Sequence, residues 1–208
     1  MVKIAPPPPS NSPTPTFHTL ATGSKIVRIF DPTRYQTQAL TFRYNGPRHR
    51  FDHHQGSNKF PQDDPARGIY YAAFTLAGCL VECFADTGLI EIEGQCICKV
   101  DITKPLNLLD LRGSGAMKAG SVSALAKTVV RTLSQKWSRY FYEHTNEYSM
   151  IDGLIYFNAH NDEEAIAIYE RGKNKLACSE AQVLQLAHPK LRSAIQQAAI
   201  DNNLIFKA

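Results

Sequence analysis

Apolar runs along this chain are short and separated by polar clusters, and their spacing predicts a mixed architecture. KIVRIF, residues 25–30, reads as a first strand with Arg28 inside it, and ALTFRY, 39–44, as a second. A loop rich in His, Gly, Asp, Asn and Pro follows over 45–67; loops of that length in a compact domain are commonly functional or disordered. Residues 68–73 read as a strand and 75–86 as a helix with Leu76, Leu80, Val81 and Phe84 on its apolar positions. Two further strands fall at 95–101 and 105–111, bordered by turns. Leu125, Val129, Leu133, Trp137 and Tyr140 recur at helical spacing, which predicts one long helix from 122 to about 147 with Trp137 in the core. Strands at 153–157 and 165–170 flank a turn at 159–164, and 179–203 reads as two helices broken near His188-Pro189. Strands and helices mix without the regular alternation of a doubly wound sheet, so the class is α+β, with small mixed sheets and flanking helices.

The stretch APPPPSNSPTPT near the start is too rich in proline to build a packed element and is expected to be extended or mobile. It divides the chain into a Pro-rich extension, 1–20, and a single domain, 21–208; a chain of 208 residues can bury one good core. Binding of the extension to a polyproline-recognising partner is the less favoured reading beside a plain leader. A formal charge of +4 suits steering of an anionic small molecule, but the cations are too scattered to argue for direct nucleic-acid binding. No apolar run is long enough for a transmembrane helix, and the N-terminus lacks the basic and apolar regions of a secretory signal. A cytoplasmic protein with reduced thiols is therefore expected, in keeping with an odd count of five cysteines. Cys79 with Cys83 and Cys96 with Cys98 lack the C-x2-C spacing of zinc knuckles; Cys79 and Cys83 are read in preference as small apolar core residues, and no metal is expected.

Signature motifs for nucleotide cradles, zinc proteases and serine hydrolases are missing. GSGAMKAGS, 113–121, precedes a helix and offers backbone amides to a phosphate, but a flexible connection with Ser121 as N-cap is favoured. The adjacent His53 and His54 are read as parts of a solvated loop in preference to a metal pair. Two features point to chemistry on something anionic. GPRHRFDHH, 46–54, concentrates Arg48, Arg50 and three histidines behind a Gly-Pro turn, and arginine grips phosphate through bidentate, charge-assisted hydrogen bonds. Glu82 stands alone on an otherwise apolar helix, flanked by Leu80-Val81 and Cys83-Phe84, and a lone carboxylate there suits a catalytic role.

The segments VRIFDP, FRYNGPRHRFDHH, YYAAFTLAGCLVECF and DGLIYFNAHNDEEAIAIYER, spanning about residues 25–171, resemble the RES-domain family, named for its characteristic Arg, Glu and Ser. The resemblance implies an ADP-ribosyltransferase-like fold and the activity of toxins that degrade NAD⁺, some by phosphorolysis, many neutralised by an Xre-type antitoxin. It matches Arg28 to the family's early arginine, Arg50 to that of its second motif, Tyr71 to the strand tyrosine and Glu82 to the family glutamate. Where the family has Ser, this chain has Asn158, which can hydrogen-bond a ribose but has no hydroxyl to donate. The resulting expectation is an NAD⁺-cleaving enzyme. Glu82 stabilises an oxocarbenium-like transition state, Arg28 and Asn158 complete the catalytic set, and Arg50, Arg48, Tyr71 and His160 bind substrate, with Arg43 a nearby alternative to Arg50. NAD⁺ is then substrate and phosphate a co-substrate, with an antitoxin and a second copy of the chain as candidate partners. A RES-like module that binds NAD⁺ or a partner with little turnover, and transfer of ADP-ribose to a macromolecule, are the alternatives.

Overall fold

The computed structural model describes residues 2–207. Nine strands form one sheet: β1 (Phe17–Leu20), β2 (Lys25–Phe30), β3 (Ile69–Ala73), β4 (Cys96–Ile102), β5 (Leu106–Asp110), β6 (Gly153–Phe157), β7 (Glu164–Tyr169), β8 (Leu176–Ala177) and β9 (Val183–Gln185). Their order is β1-β5-β6-β7-β3-β2-β4-β8, with β9 also on β4. Only β5 and β6 are parallel neighbours within it. The expectation of small mixed sheets is corrected to one large sheet with two two-stranded ribbons, Asn45–Gly46 with Gln62–Asp63 and Leu89–Ile90 with Ile205–Phe206. The class is α+β.

The sheet curls where β2 meets β3, because a single residue pair, Val27 with Ala73, joins them. Side chains alternate across each strand, so the curl creates three apolar regions. Inside it lie Ile26 and Phe30 of β2, Tyr70 and Ala72 of β3, Val100 of β4 and Ile166 of β7. On the outside of one half, Leu154, Tyr156, Ala167 and Tyr169 pack against Trp137 and Phe141 of α3 (Arg131–Glu143), which follows α1 (Leu76–Phe84) and α2 (Ser114–Lys118) in the chain. On the outside of the other half, Ile97 packs against Leu80 and Phe84 of α1. Two later helices complete the chain, α4 (Thr145–Tyr148) and α5 (Arg192–Asp201), whose Ile195 and Ala198 join the α1 cluster.

Helix α1 starts where β3 stops. Thr75 caps it, its hydroxyl accepting from the Gly78 amide at 2.8 Å, and the Cys79 thiol donates to the Val27 carbonyl at 3.0 Å. Cys79 is thus a buried core residue, as expected, whereas Cys83, expected beside it in the core, is exposed because it lies on the helix face turned away from the sheet.

Three elements differ from the sequence reading. Residues 39–44 form no strand: Arg43 makes one isolated bridge to Ile69, while the Ala39 and Thr41 carbonyls accept from the Tyr70 hydroxyl and Arg28 instead of a ladder partner. The long helix over 122–147 is interrupted. A 3₁₀ turn at Ser123–Lys127 precedes α3, and the β-branched run Thr128-Val129-Val130 between them leaves the helical path, with Val129 93% exposed. The first of the two C-terminal helices is replaced by a 3₁₀ turn at Glu180–Gln182, capped by Ser179, and then by β9, which pairs with β4.

The sheet also reaches into the Pro-rich extension, since β1 at Phe17–Leu20 pairs with β5. The stretch before it has no regular element but is tied down. The Trp137 indole donates to the Ala5 carbonyl at 2.8 Å, the Thr14 amide donates to the Lys118 carbonyl at 2.8 Å, and Ile4 packs against the Trp137 cluster. Gly120, at φ 83°, adopts the left-handed backbone that glycine favours, and a Cβ there would collide with Pro9. Deleting residues 2–13 is expected to cost about 2 kcal/mol of stability. It should also shift the emission of Trp137, the sole tryptophan, to the red. Unchanged emission and melting temperature in the truncated chain would show that the strap contributes nothing.

Candidate functional site

The loop after Gly46 is organised by one buried carboxylate. Asp52 is fully buried, and Arg43 meets both of its oxygens at 2.7 Å. The amides of Arg48 and His49 donate to it at 2.6 and 2.9 Å, and the Tyr71 hydroxyl donates at 2.8 Å while accepting from the Phe51 amide at 3.0 Å. Burial alone would raise the Asp52 carboxyl; the charge and hydrogen bonds of Arg43, with the Arg48 and His49 amides, outweigh it and hold the group below its ordinary value. Helix α3 grips the same loop through its backbone: Gln135 donates to the His49 carbonyl at 2.8 Å, Ser138 to that of Phe51 at 2.6 Å, and Arg139 to that of His54.

This loop carries Arg50 outward to the break before α3, where its guanidinium donates to the Thr128 carbonyl. Among the described residues Arg50 makes no ion pair at contact distance with a carboxylate. Its charge nevertheless acts on Glu82 of α1. Glu82 is exposed, yet the protein around it raises its carboxyl above the ordinary value by partial desolvation; Arg50 and His160 pull it back and Asp86 adds to the rise. Tyr156 of β6 feels the same charges: burial raises its hydroxyl first, then Glu82, with Arg50 opposing. His160 lies 3.7 Å from Asp86, and Arg131 lies 4.0 Å from the same carboxylate. The charges of Arg50 and His160 thus act on Glu82, and those of Glu82 and Arg50 on Tyr156.

The turn after β6 sets the position of His160. Asn158 is buried, and its side-chain oxygen accepts from the His160 and Asn161 amides, both at 2.9 Å, while its amide donates to Asn161 at 2.6 Å. Asn161 donates to Glu163 at 2.9 Å, and Glu163 accepts from the Thr75 hydroxyl at the start of α1. This chain of hydrogen bonds ties the turn carrying His160 to the helix carrying Glu82.

The other expected site residues lie elsewhere or are already engaged. Arg28 is inside the curl, its guanidinium 4.3 Å from the Tyr70 ring centroid and bonded to the Thr41 carbonyl at 2.8 Å, on the sheet face opposite Tyr71. Arg43 is committed to Asp52, and Arg48 is exposed with its guanidinium on the Asn45 side chain at 2.6 and 2.9 Å. Tyr71 keeps only its ring for a ligand, since its hydroxyl is taken by Asp52. The solvated-loop reading of His53 and His54 is overturned: both are fully buried. His53 donates to Glu170 at 3.0 Å between the rings of Tyr142 and Tyr169, and burial pushes it down to about 4 despite Glu170. His54 donates to the Arg43 carbonyl at 3.1 Å, and a Cβ on Gly46 would stand 2.6 Å from its Nδ1. In 113–121, Ser114–Lys118 is a short helix and Val122, in place of Ser121, precedes the next turn. Among the described residues no group of three or more His, Cys, Asp or Glu could hold a metal ion, and no helix is long and apolar enough to cross a membrane.

The family model described as the RES domain matches residues 25–190, most of the chain. The chain belongs to the RES-domain family. It is also 30% identical, over 89 residues, to a protein of Sinorhizobium fredii (strain NBRC 101917 / NGR234) described as "Probable toxin y4kH", covering 43% of this chain and 68% of that protein.

In this RES domain the residues that reasoning from sequence missed are Asp52, Tyr156 and the α3 trio Gln135, Ser138 and Arg139. Asp52 stood within the GPRHRFDHH motif, but its partners come from separate elements that only the fold brings together. Asp52→Asn leaves the partly buried Arg43 without its counter-charge and the buried side chain without its full set of partners, and is expected to cost about 3 kcal/mol at neutral pH. The native contribution is full above 3.8, the ordinary aspartate value, and is lost as pH falls through the lower folded value. Denaturation of both proteins should therefore show a gap that narrows on acidification. A gap of zero at neutral pH would remove Asp52 from its anchoring role.

Proposed function

We propose that this RES domain cleaves the nicotinamide–ribose bond of NAD⁺ and acts as the toxin of a toxin–antitoxin pair. The observation that carries the reading is the hydrogen-bonded chain that ties the turn of His160 to the start of the Glu82 helix, with the charges of Arg50 and His160 acting on Glu82. When the bond breaks, its electron pair leaves with nicotinamide and positive charge grows on the ribose. A carboxylate beside that carbon stabilises the charge more in the transition state than in the ground state. Glu82 takes this role and orients the incoming water or phosphate, whose oxygen forms the new bond to ribose as its proton is released. Arg50, free of a contact carboxylate among the described residues, grips the pyrophosphate. The ring of Tyr71 offers an aromatic edge to the substrate. Asn158 acts through His160, which it positions, and Arg28 supports the curl rather than touching substrate.

The curled, divided sheet is in keeping with the ADP-ribosyltransferase-like fold that the family resemblance implies. The toxin reading draws on the relative described as a probable toxin, and an Xre-type antitoxin is the partner that it calls for. A second reading, a binding module with little turnover, is favoured by Asn158, whose amide is wholly engaged within its own turn.

Purified protein incubated with NAD⁺, with and without phosphate, separates the two readings by mass spectrometry. ADP-ribose phosphate formed only with phosphate marks phosphorolysis, and ADP-ribose marks hydrolysis. Glu82→Gln is expected to slow NAD⁺ loss by about 100-fold or more while leaving the fold intact. No loss of NAD⁺ under either condition would leave the binding reading, and unchanged turnover in the variant would refute the role of Glu82.

A further inference from the structure

Past the end of β9, on the side of the sheet covered by α1 and α5, lies a pocket of about 130 Å³. Its walls include Ile92, Leu186, Ile195 and Phe206, which places it between the ribbon of Leu89–Ile90 with Ile205–Phe206 and the first turns of α5. Leu186 and Ile195 are buried and give it an apolar floor. A cavity of about 150 Å³ lined by aliphatic and aromatic side chains holds benzene. The pocket is far below the range of about 300–1,000 Å³ usual for drug-sized ligands and is too small for a nucleotide. Its space suits a body of one six-membered ring.

The rim has a different chemistry. His188, half-buried, and Arg192, exposed, stand there. The Nδ1 of His188 accepts from the Lys190 amide at 3.2 Å, which leaves the ring proton on Nε2 as a donor. Arg192 opens α5, a helix with no side-chain cap and no acidic residue in its first turn. The helix dipole opposes a cation at that end, and Lys190 adds a second positive charge two residues earlier. Glu91 and Glu93 flank Ile92, yet among the described residues neither forms an ion pair with Arg192. What the rim lacks is an anion, and a guanidinium holds a carboxylate through two parallel N–H bonds.

We propose that this pocket binds a small monocarboxylate whose apolar body is a single ring, of the benzoate class. The ring enters between Ile92, Ile195 and Phe206. The carboxylate stays at the rim, where Arg192 and the Nε2 of His188 donate to its oxygens. Such an occupant differs from a dinucleotide in size and in charge, and the pocket draws no side chain from the Glu82 site. Packing is the link between the two places: Leu80 and Phe84 of α1 belong to the same apolar cluster as Leu186, Ile195 and Phe206. A bound aromatic acid therefore braces α5 against the ribbon and against the helix that carries Glu82.

Methyl carbon-13 NMR of the full chain tests the pocket, with benzoate as probe and benzyl alcohol as an uncharged counterpart with the same ring. Benzoate should shift the methyl signals of Ile92 and Ile195 saturably and leave those of Ile26 and Ile166, inside the curl, in place. Benzyl alcohol should bind about fivefold more weakly, because it lacks the charge that Arg192 meets. Arg192→Gln, at an exposed position outside the core, should weaken benzoate by a similar factor and leave benzyl alcohol unchanged. Unmoved Ile26 and Ile166 signals in the variant report that it is folded. A two-ring acid, 1-naphthoate, should fail to displace benzoate. Absence of shifts at Ile92 and Ile195 at high millimolar benzoate would overturn the proposal. So would equal affinity for the alcohol, undiminished benzoate binding in Arg192→Gln, or displacement by the two-ring acid. None of these readouts involves loss of NAD⁺, so the pocket and the cleavage reading stand or fall separately.

Discussion

Five hydrogen bonds converge on the fully buried carboxylate of Asp52, and the geometry of the site depends on them. A charge in that position is tolerable only when it is paired and its lone pairs are filled. Arg43 supplies the counter-charge, two loop amides fix the path of the chain, and Tyr71 joins the loop to the central strand β3. With the loop held from below by Asp52 and from the side by α3, the backbone at Arg50 has one course, and its guanidinium reaches Thr128. The arginine that could meet an anionic ligand is therefore placed by an arginine that cannot.

The second constraint is the single pair between Val27 and Ala73. It lets the sheet curl around one core while each outer face receives its own helices, α3 on one side and α1 with α5 on the other. Helix α1 grows directly from β3, and the charge of Glu82 on it reaches Tyr156 on the α3 side. The Thr75–Glu163–Asn161–Asn158 chain then holds the His160 turn against the start of α1. Catalytic geometry in such a site is a product of supports outside the reacting groups.

Much of this fold is legible in residue patterns, and the failures have physical causes. The strands at Lys25–Phe30, Ile69–Ala73 and Gly153–Phe157 read as short, mostly apolar runs because both of their faces are covered by different partners. Helix α1 is legible from its apolar spacing, and Trp137 is a core residue as its helix predicts. Val129 has the right spacing for a helix, but it belongs to a β-branched run at which the chain turns out to solvent, and tertiary demand from Arg50 on Thr128 outweighs the period. His53 and His54 look like solvated loop residues because their partners, Glu170, Tyr142, Tyr169 and the Arg43 carbonyl, are not neighbours in sequence. Arg28 shows the converse limit: its place in a motif is legible, while the sheet face on which it lies follows from register with Cys98.

The coupling of Arg50 to Glu82 is the centre of the account, and a carbon-13 NMR titration of the Glu82 carboxyl measures it without reference to any substrate. The titration is predicted to show a pKa above 4.5, the ordinary glutamate value, and a further rise in Arg50→Gln, which removes the cation that now lowers it. An ordinary value that does not respond to loss of Arg50 would mean that the two groups do not share a site.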